Sequence, residues 1–284
     1  MKEMGLEEEV KEEQKDTEEP TVPQTEEEEK KLEEMQTTRK IKNVRSLVKE
    51  LKSVIIQKYE NKPLLYKGKK FDVRCYMTIS CTKPYLVVYT DGYCRISLND
   101  FNLEDYNTKE GKITHMTNNS VQKKHPEYKE RKEETIIDMD VLKNYLIEEG
   151  KIKNTEEFDS KVTNKFKEIM RIIFLQVKDK LDQTFGCFEL LGYDFLLDED
   201  LNPYLIEINI NPALFTDTST QRKIIPKMMN DIVKTTLKLH TYNYTQSKPE
   251  DYEEVVKDLK LTGDDKKYDM DILYEEGVES TPFI

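Results

Sequence analysis

Three oxygen-bearing side chains, Asp194, Glu207 and Asn209, fall within one stretch, CFELLGYDFLLDEDLNPYLIEININ, whose spacing can bring them together. If Glu199 to Asn202 form a four-residue turn between two strands, positions whose numbers sum to 401 face each other, and Asp194 lies opposite Glu207. Glu207 and Asn209, two apart on one strand, share a face. Neighbouring carboxylates repel and lose hydration when covered, so the arrangement calls for a cation between them. Oxygen ligands without Cys or His favour magnesium, and so few protein ligands leave positions for substrate phosphates. The alternative is a pair of surface acids on an ordinary hairpin, but the apolar neighbours Phe195, Ile206 and Ile208 suggest a covered sheet.

A second set lies in KKFDVRCYM, where Lys70, Asp72, Arg74 and Tyr76 alternate onto one face while Phe71, Val73, Cys75 and Met77 take the core face. Arg95, expected just beyond a hairpin turn at Asp91-Gly92, adds another cation, and the guanidinium fork suits phosphate or carboxylate. Taken alone, this row reads equally as the solvated side of an antiparallel sheet. His115-Met116-Thr117-Asn118-Asn119 supplies an imidazole, a hydroxyl and two amides in a polar, turn-rich stretch. A single His is more often structural than catalytic, and Asn118 is the better candidate for a place near phosphate.

The elements that must hold these groups follow from periodicity. Ile41, Val44, Leu47, Val48 and Leu51 predict an amphipathic helix, and Val54–Tyr59 a β-rich run. Strands are predicted over Lys70–Ser80, Tyr85–Thr90 and Tyr93–Leu98, with a second pair at Phe185–Leu197 and Tyr204–Ile210. Val141, Leu142, Tyr145 and Leu146 mark a short helix. Phe158, Val162, Phe166, Ile169, Ile173, Val177 and Leu181 mark a long one. The last predicted helix starts near Pro226, with Ile225, Met228, Met229, Ile232, Val233, Thr236 and Leu237 inward.

The chain has 284 residues and a formal charge of −12, distributed unevenly. Residues 1–37 hold 15 acids against 5 bases, residues 249–284 hold 12 against 4, and residues 38–248 carry 36 bases against 30 acids. A basic middle segment is therefore expected between two acidic, aperiodic, disordered tails. The expected boundaries are 1–38 for the first tail, 39–245 for the folded domain and 246–284 for the second tail. No apolar run is long enough for a membrane span, so no membrane partner is expected. Neither a nucleic-acid recognition motif nor a stacking array is present, so no nucleic-acid partner is expected either. The four cysteines lack C-x-x-C or zinc-ligand spacing, which points to reduced thiols in a cytoplasmic setting.

IIQKYENKPLL, GKKFDVRCYM, DGYCRISL, HMTNNSVQKK, LLGYDFLLDEDLNPYLIEININ and NPAL, in this order, resemble the tubulin tyrosine ligase-like family of ATP-grasp amino-acid ligases over roughly residues 40–240. CYMTISCTKPYLVVYTDGYCRISL, SVQKKHPEY and NPALFTDTSTQRKIIP look most like its protein polyglycylase branch. The resemblance implies an α+β fold of ATP-grasp type, ATP and magnesium as cofactors, and Asp194, Glu207 and Asn209 as metal ligands. It places Gln57, Lys58 and Tyr59 at the adenine, Lys70 and Asp72 at the nucleotide, and Thr117 and Asn118 at the phosphate-side loop. Arg74 and Arg95 match arginines near the acyl phosphate and incoming amino acid. The implied reaction adds glycine to glutamate-linked chains on tubulin or another acidic protein tail, at microtubules of the cytoskeleton, including those of a cilium. Two features depart from the family. Glu60 stands where an apolar adenine contact is usual, and no lysine-bearing strand with a Gly-rich loop precedes Val54, so the ATP-grasp fold is expected to be N-terminally incomplete. A catalytically inactive remnant that binds microtubules or a partner ligase, and a polyglutamylase, stay open as alternatives.

Overall fold

The computed structural model describes residues 57–104, 108–184, 186–244, 249–262 and 266–278. The predicted helix over Ile41–Leu51 and the Glu-rich segment 1–37 lie outside the described residues, as does most of the Val54–Tyr59 run. The chain divides into two compact units at Tyr59/Glu60. Of the first, Gln57, Lys58 and Tyr59 are described, all exposed and without regular structure.

The second unit is built on a seven-stranded antiparallel sheet. Its strands are β1 (Leu65–Tyr66), β2 (Lys69–Thr82), β3 (Tyr85–Ile96), β4 (Ile136–Asp138), β5 (Glu189–Leu197), β6 (Pro203–Asn209) and β7 (Asp271–Glu275). The order β4-β3-β2-β5-β6 runs across it, with β1 beside β2 and β7 beside β3. Among the described residues, the helices longer than a single turn are α1 (Lys109–His115), α2 (Met139–Glu148), α3 (Asn164–Val177), α4 (Ser219–Tyr244) and α5 (Pro249–Leu259).

Alternation along β2 and β3 sends apolar side chains to both faces, and each face has its own cover. Phe71, Val73, Cys75, Met77, Val87 and Phe195 pack with α2 and α3 in one core. Tyr76, Leu86, Val88 and Tyr93 pack on the other face with Ile225, Met228 and Ile232 of α4. The long helical segment is not a uniform 3.6-residue helix, because a π-turn at Asp159–Thr163 precedes α3. As a result Phe158, Val162, Phe166, Met170 and Phe174, four residues apart, are all fully buried, and Met170 and Phe174 replace the predicted Ile169 and Ile173 as the innermost residues.

Three expectations are corrected. Asp91-Gly92 is not a hairpin turn. β3 runs straight through it, and the chain reverses at Lys83-Pro84 between Thr82 and Tyr85. Arg74 faces Tyr93 and Tyr76 faces Thr90, so Asp91 and Gly92 oppose Cys75 alone in a β-bulge. Glycine is needed there because a Cβ at position 92 would stand 2.2 Å from the Arg74 carbonyl oxygen. The helix predicted from near Pro226 is α4, which starts at Ser219, seven residues before the proline. Thr218-x-x-Gln221 forms a reciprocal cap: Gln221 N–H donates to Thr218 Oγ1 at 3.3 Å and Thr218 N–H to Gln221 Oε1 at 3.3 Å. Val233 and Leu237, expected to face inward, are exposed. Finally, the second acidic segment is not an aperiodic tail over 249–275, where it forms α5 and β7. Leu259, Leu261, Met270 and Leu273 are buried, and β7 lies on β3 with Val87 opposite Tyr274.

Candidate functional site

The polar row on β2 emerges at the end of the sheet face that α4 leaves open, and it is not solvated. Asp72, Arg74 and Arg95 are 3%, 5% and 9% exposed, and Asp194 on β5 is 1% exposed. Strand register brings them together, since Asp72 faces Arg95 across β2–β3 and Arg74 faces Asp194 across β2–β5. Arg95 Nε and Nη2 grip Asp72 at 2.6 and 2.9 Å, and the same Nη2 reaches Asp194 Oδ2 at 2.7 Å. Arg74 holds Asp194 through Nε and, at 3.0 Å, through Nη2. Thr117 Oγ1 donates to Asp72 Oδ2, which ties the loop after α1 to the same lattice. Gly192 makes room for this geometry: a Cβ there would stand 2.8 Å from Pro212 and 3.4 Å from the Arg74 side chain.

The electrostatics follow from this lattice. Burial works against the charge on Asp194, but hydrogen bonds and charge from Arg74 and Arg95 outweigh it and lower its pKa. Burial likewise opposes the charges on Arg74 and Arg95, yet their carboxylate partners raise both pKa values. Lys70 donates Nζ to the His115 carbonyl at 2.9 Å, and burial lowers its pKa against the opposing pull of Asp72. The His115 ring packs edge-on against Phe101, and burial and Lys70 lower its pKa.

The expected Asp194–Glu207 pairing is present in the β5–β6 register. A bulge follows at once, so Phe195 faces Leu205 rather than Ile206. Asn209 Nδ2 lies 3.2 Å from Glu207 Oε1 and 3.4 Å from Asp194 Oδ2, so both carboxylates point at one spot. Among the described residues no group of three or more His, Cys, Asp or Glu side chains is arranged to hold a metal. Two carboxylates suit magnesium, which keeps several waters or phosphate oxygens in its own shell, and Asn209, whose Nδ2 faces both carboxylates, would have to turn its Oδ1 inward to join them. Any such ion shares Asp194 with two guanidinium groups.

Arg74, Arg95, Asn118, Glu207 and Asn209 open onto one cavity of about 270 Å³. Asn118 caps the helical turn Asn119–Gln122, its Oδ1 accepting from Ser120 N–H at 2.9 Å. Glu60, which the resemblance led one to expect near the adenine, is half-buried and accepts the Lys62 N–H at 2.9 Å. Gln122 adds a residue that no periodicity or spacing in the sequence marks. This fully buried amide donates to the Ile113 and Met116 carbonyls, both at 2.7 Å, and accepts the Leu98 N–H at 2.9 Å. It fixes the loop carrying Thr117 and Asn118, and its only sequence signal was its place inside HMTNNSVQKK.

An antiparallel sheet with helices on both faces, carrying a buried Arg–Asp lattice beside an open cavity, is an α+β domain, and the profile that it matches makes it one of ATP-grasp type. The tubulin-tyrosine ligase family profile matches residues 7–247, and the chain belongs to that family. The match begins well before Arg39, where composition had placed the domain edge. Protein polyglycylase TTLL10 of Mus musculus is 38% identical over 177 residues, which is 61% of this chain and 24% of that protein. Inactive polyglycylase TTLL10 of Homo sapiens is 35% identical over 61% of this chain and 25% of its own length. Tubulin glycylase 3B of Drosophila melanogaster is 36% identical over 66% of this chain and 25% of its own. The chain thus spans about a quarter of the length of the curated relatives it matches.

Proposed function

We propose that this chain carries the catalytic site of an ATP-dependent carbon–nitrogen ligase that adds glycine to glutamate-linked chains on tubulin or another acidic protein. The observation that carries the reading is the buried lattice Arg74–Asp194–Arg95–Asp72, which opens beside Glu207 and Asn209. In the proposed reaction an acceptor carboxylate takes the γ-phosphoryl group of ATP to give an acyl phosphate and ADP. The glycine amine then attacks the acyl carbon, and inorganic phosphate leaves. Asp194, Glu207 and Asn209 would hold magnesium, which supplies neutralising charge to phosphate oxygens.

The rest is positioning and electrostatics, the main levers in phosphoryl transfer. Arg74 and Arg95 are held rigid by their carboxylate partners, so their charge is pre-aimed at an anionic intermediate and needs no reorganisation. Asp72 and Thr117 fix Arg95, and Gln122 fixes the loop bearing Asn118. Lys70, with its depressed pKa, supplies a cation at the nucleotide side. Gln57, Lys58 and Tyr59 are proposed for the adenine. The expected setting is the cytoplasm, at microtubules.

The name of the human relative, inactive polyglycylase, motivates a second reading in which the fold binds its partner without turnover. Transfer of radiolabelled glycine to purified tubulin, with ATP and magnesium, separates the two. Incorporation that falls at least 100-fold with Arg95→Lys, which loses the bidentate fork, supports the ligase. Labelled glutamate incorporated in place of glycine would make the protein a polyglutamylase. ATP-independent tubulin binding with no transfer of either would support the inactive reading.

A further inference from the structure

One cation lining the same cavity is held in a different way. Arg74 and Arg95 are committed to buried carboxylates through several bonds each, whereas Lys123 meets Asp217 through a single contact at 3.2 Å. Both of these side chains are nearly half exposed, 47% and 43%. Lys123 Nζ also sits 5.5 Å from the centre of the Phe215 ring. Lys123 comes from SVQKKHPEY and Phe215 and Asp217 from NPALFTDTSTQRKIIP, the segments on which the likeness to polyglycylases rested, and here they meet at the mouth of one cavity.

Three cations line this cavity, Arg74, Arg95 and Lys123; Asp194 and Asp72 already hold the two arginines in the buried lattice, so Lys123 is the lining cation whose carboxylate partner is open to exchange for another. The two arginines sit on the buried sheet, next to the proposed reacting atoms. Lys123 sits at the rim, and an exposed single-contact ion pair contributes little net free energy, so an arriving carboxylate can take the place of Asp217 at low cost. The exchange leaves the backbone in place. Arg222 Nη1 holds the Asp217 and Thr216 carbonyls at 3.0 and 3.2 Å, so only the Asp217 side chain has to turn away.

We propose that Lys123 is the docking point for a carboxylate of the acidic acceptor polypeptide, and that Asp217 is an internal placeholder which the acceptor displaces. The pair then sets acceptor selectivity, because only a chain with a carboxylate in reach of Lys123 offsets the loss of Asp217. An ammonium on a flexible stem suits this role better than a fixed fork, since it accepts a carboxylate from several directions. The proposal rests on the ligase reading above for the identity of the acceptor, but not for the binding event. A free amino acid also carries a carboxylate. The rim position favours the polypeptide, and the test separates the two.

The test is fluorescence anisotropy of a labelled decaglutamate peptide with the full chain at about 50 mM salt, where screening is weak. Asp217→Asn is expected to tighten peptide binding about two- to fivefold, and Lys123→Ala to weaken it by a similar factor. In the Lys123→Ala background, Asp217→Asn should have no further effect, and Asp200→Asn, at an exposed position outside the cavity lining, should have none in either background. An equal gain from Asp217→Asn with and without Lys123, or a matching gain from Asp200→Asn, would reduce the effect to net charge and overturn the proposal. So would the absence of peptide binding by the wild-type chain, or a Lys123→Ala effect on titrated glycine in place of the peptide. If the cycle holds while no glycine is transferred, the docking site stands and the ligase reading falls.

Discussion

Removing Asp194 tests whether the buried lattice is one interlocked unit. Asp194 provides both ion-pair contacts of Arg74, while Arg95 keeps Asp72. Asp194→Ala therefore strands one guanidinium, that of Arg74, at a position 5% exposed. Leaving a buried charge without its partner typically costs about 3–5 kcal/mol. At about 2–4 °C per kcal/mol for a domain of this size, the melting temperature should fall by about 6–20 °C. Adding Arg74→Met removes the stranded charge and should recover at least about 2 kcal/mol, because replacing a whole buried pair by apolar groups is often close to neutral. The pH dependence has a defined sign. The folded pKa of Asp194 is lowered, so its contribution is full above the unfolded value near 3.9 and is lost as pH falls through the lower folded value. Urea unfolding followed by circular dichroism reads all of these. A loss below about 1 kcal/mol for Asp194→Ala, or a double variant less stable than the single one, would refute a buried, mutually dependent pair.

Three further substitutions test the supporting structure. Gly92→Ala pushes a methyl into the Arg74 carbonyl at 2.2 Å and should cost about 1–3 kcal/mol, read by thermal melting. Leu273→Ala, on β7, should cost about 2–5 kcal/mol in urea unfolding, as for a core leucine, where a disordered tail would show no change. Gln122→Ala leaves the Leu98 N–H and two carbonyls without their partner, and should cost about 1–3 kcal/mol and speed amide exchange in the loop around Thr117.

What the sequence made legible was whatever depended on short-range period. The core row Phe71, Val73, Cys75 and Met77 follows from alternation alone, whereas Asp194 lies opposite Glu207 only because the bulge between Asp194 and Phe195 offsets a turn one residue longer than the expected four, with Leu197 paired to Pro203. The side of β2 bearing Asp72 and Arg74 was ambiguous, since a polar row looks alike whether water or Arg95 and Asp194 face it. Gly92 misled because glycine serves both a turn and a close strand approach, and only the Arg74 carbonyl on another strand decides between them. Pro226 drew the helix start away from the Thr218–Gln221 cap, since proline favours a first turn but is here carried inside a 26-residue helix. Segment 249–275 was hidden by its charge. Its few apolar residues, among them Leu259 and Leu273, find partners on β3 and α4 that lie far away in sequence.

The proposed ligase needs a cation-dependent nucleotide site formed by Asp194, Glu207 and Asn209 beside Arg74 and Arg95. Calorimetric titration of ATP into the full chain, with magnesium and then with a chelator, tests it most directly. Binding is expected with magnesium and lost with the chelator, with a weaker magnesium dependence in Glu207→Gln. Equal ATP affinity in both buffers, unchanged by Glu207→Gln, would contradict it.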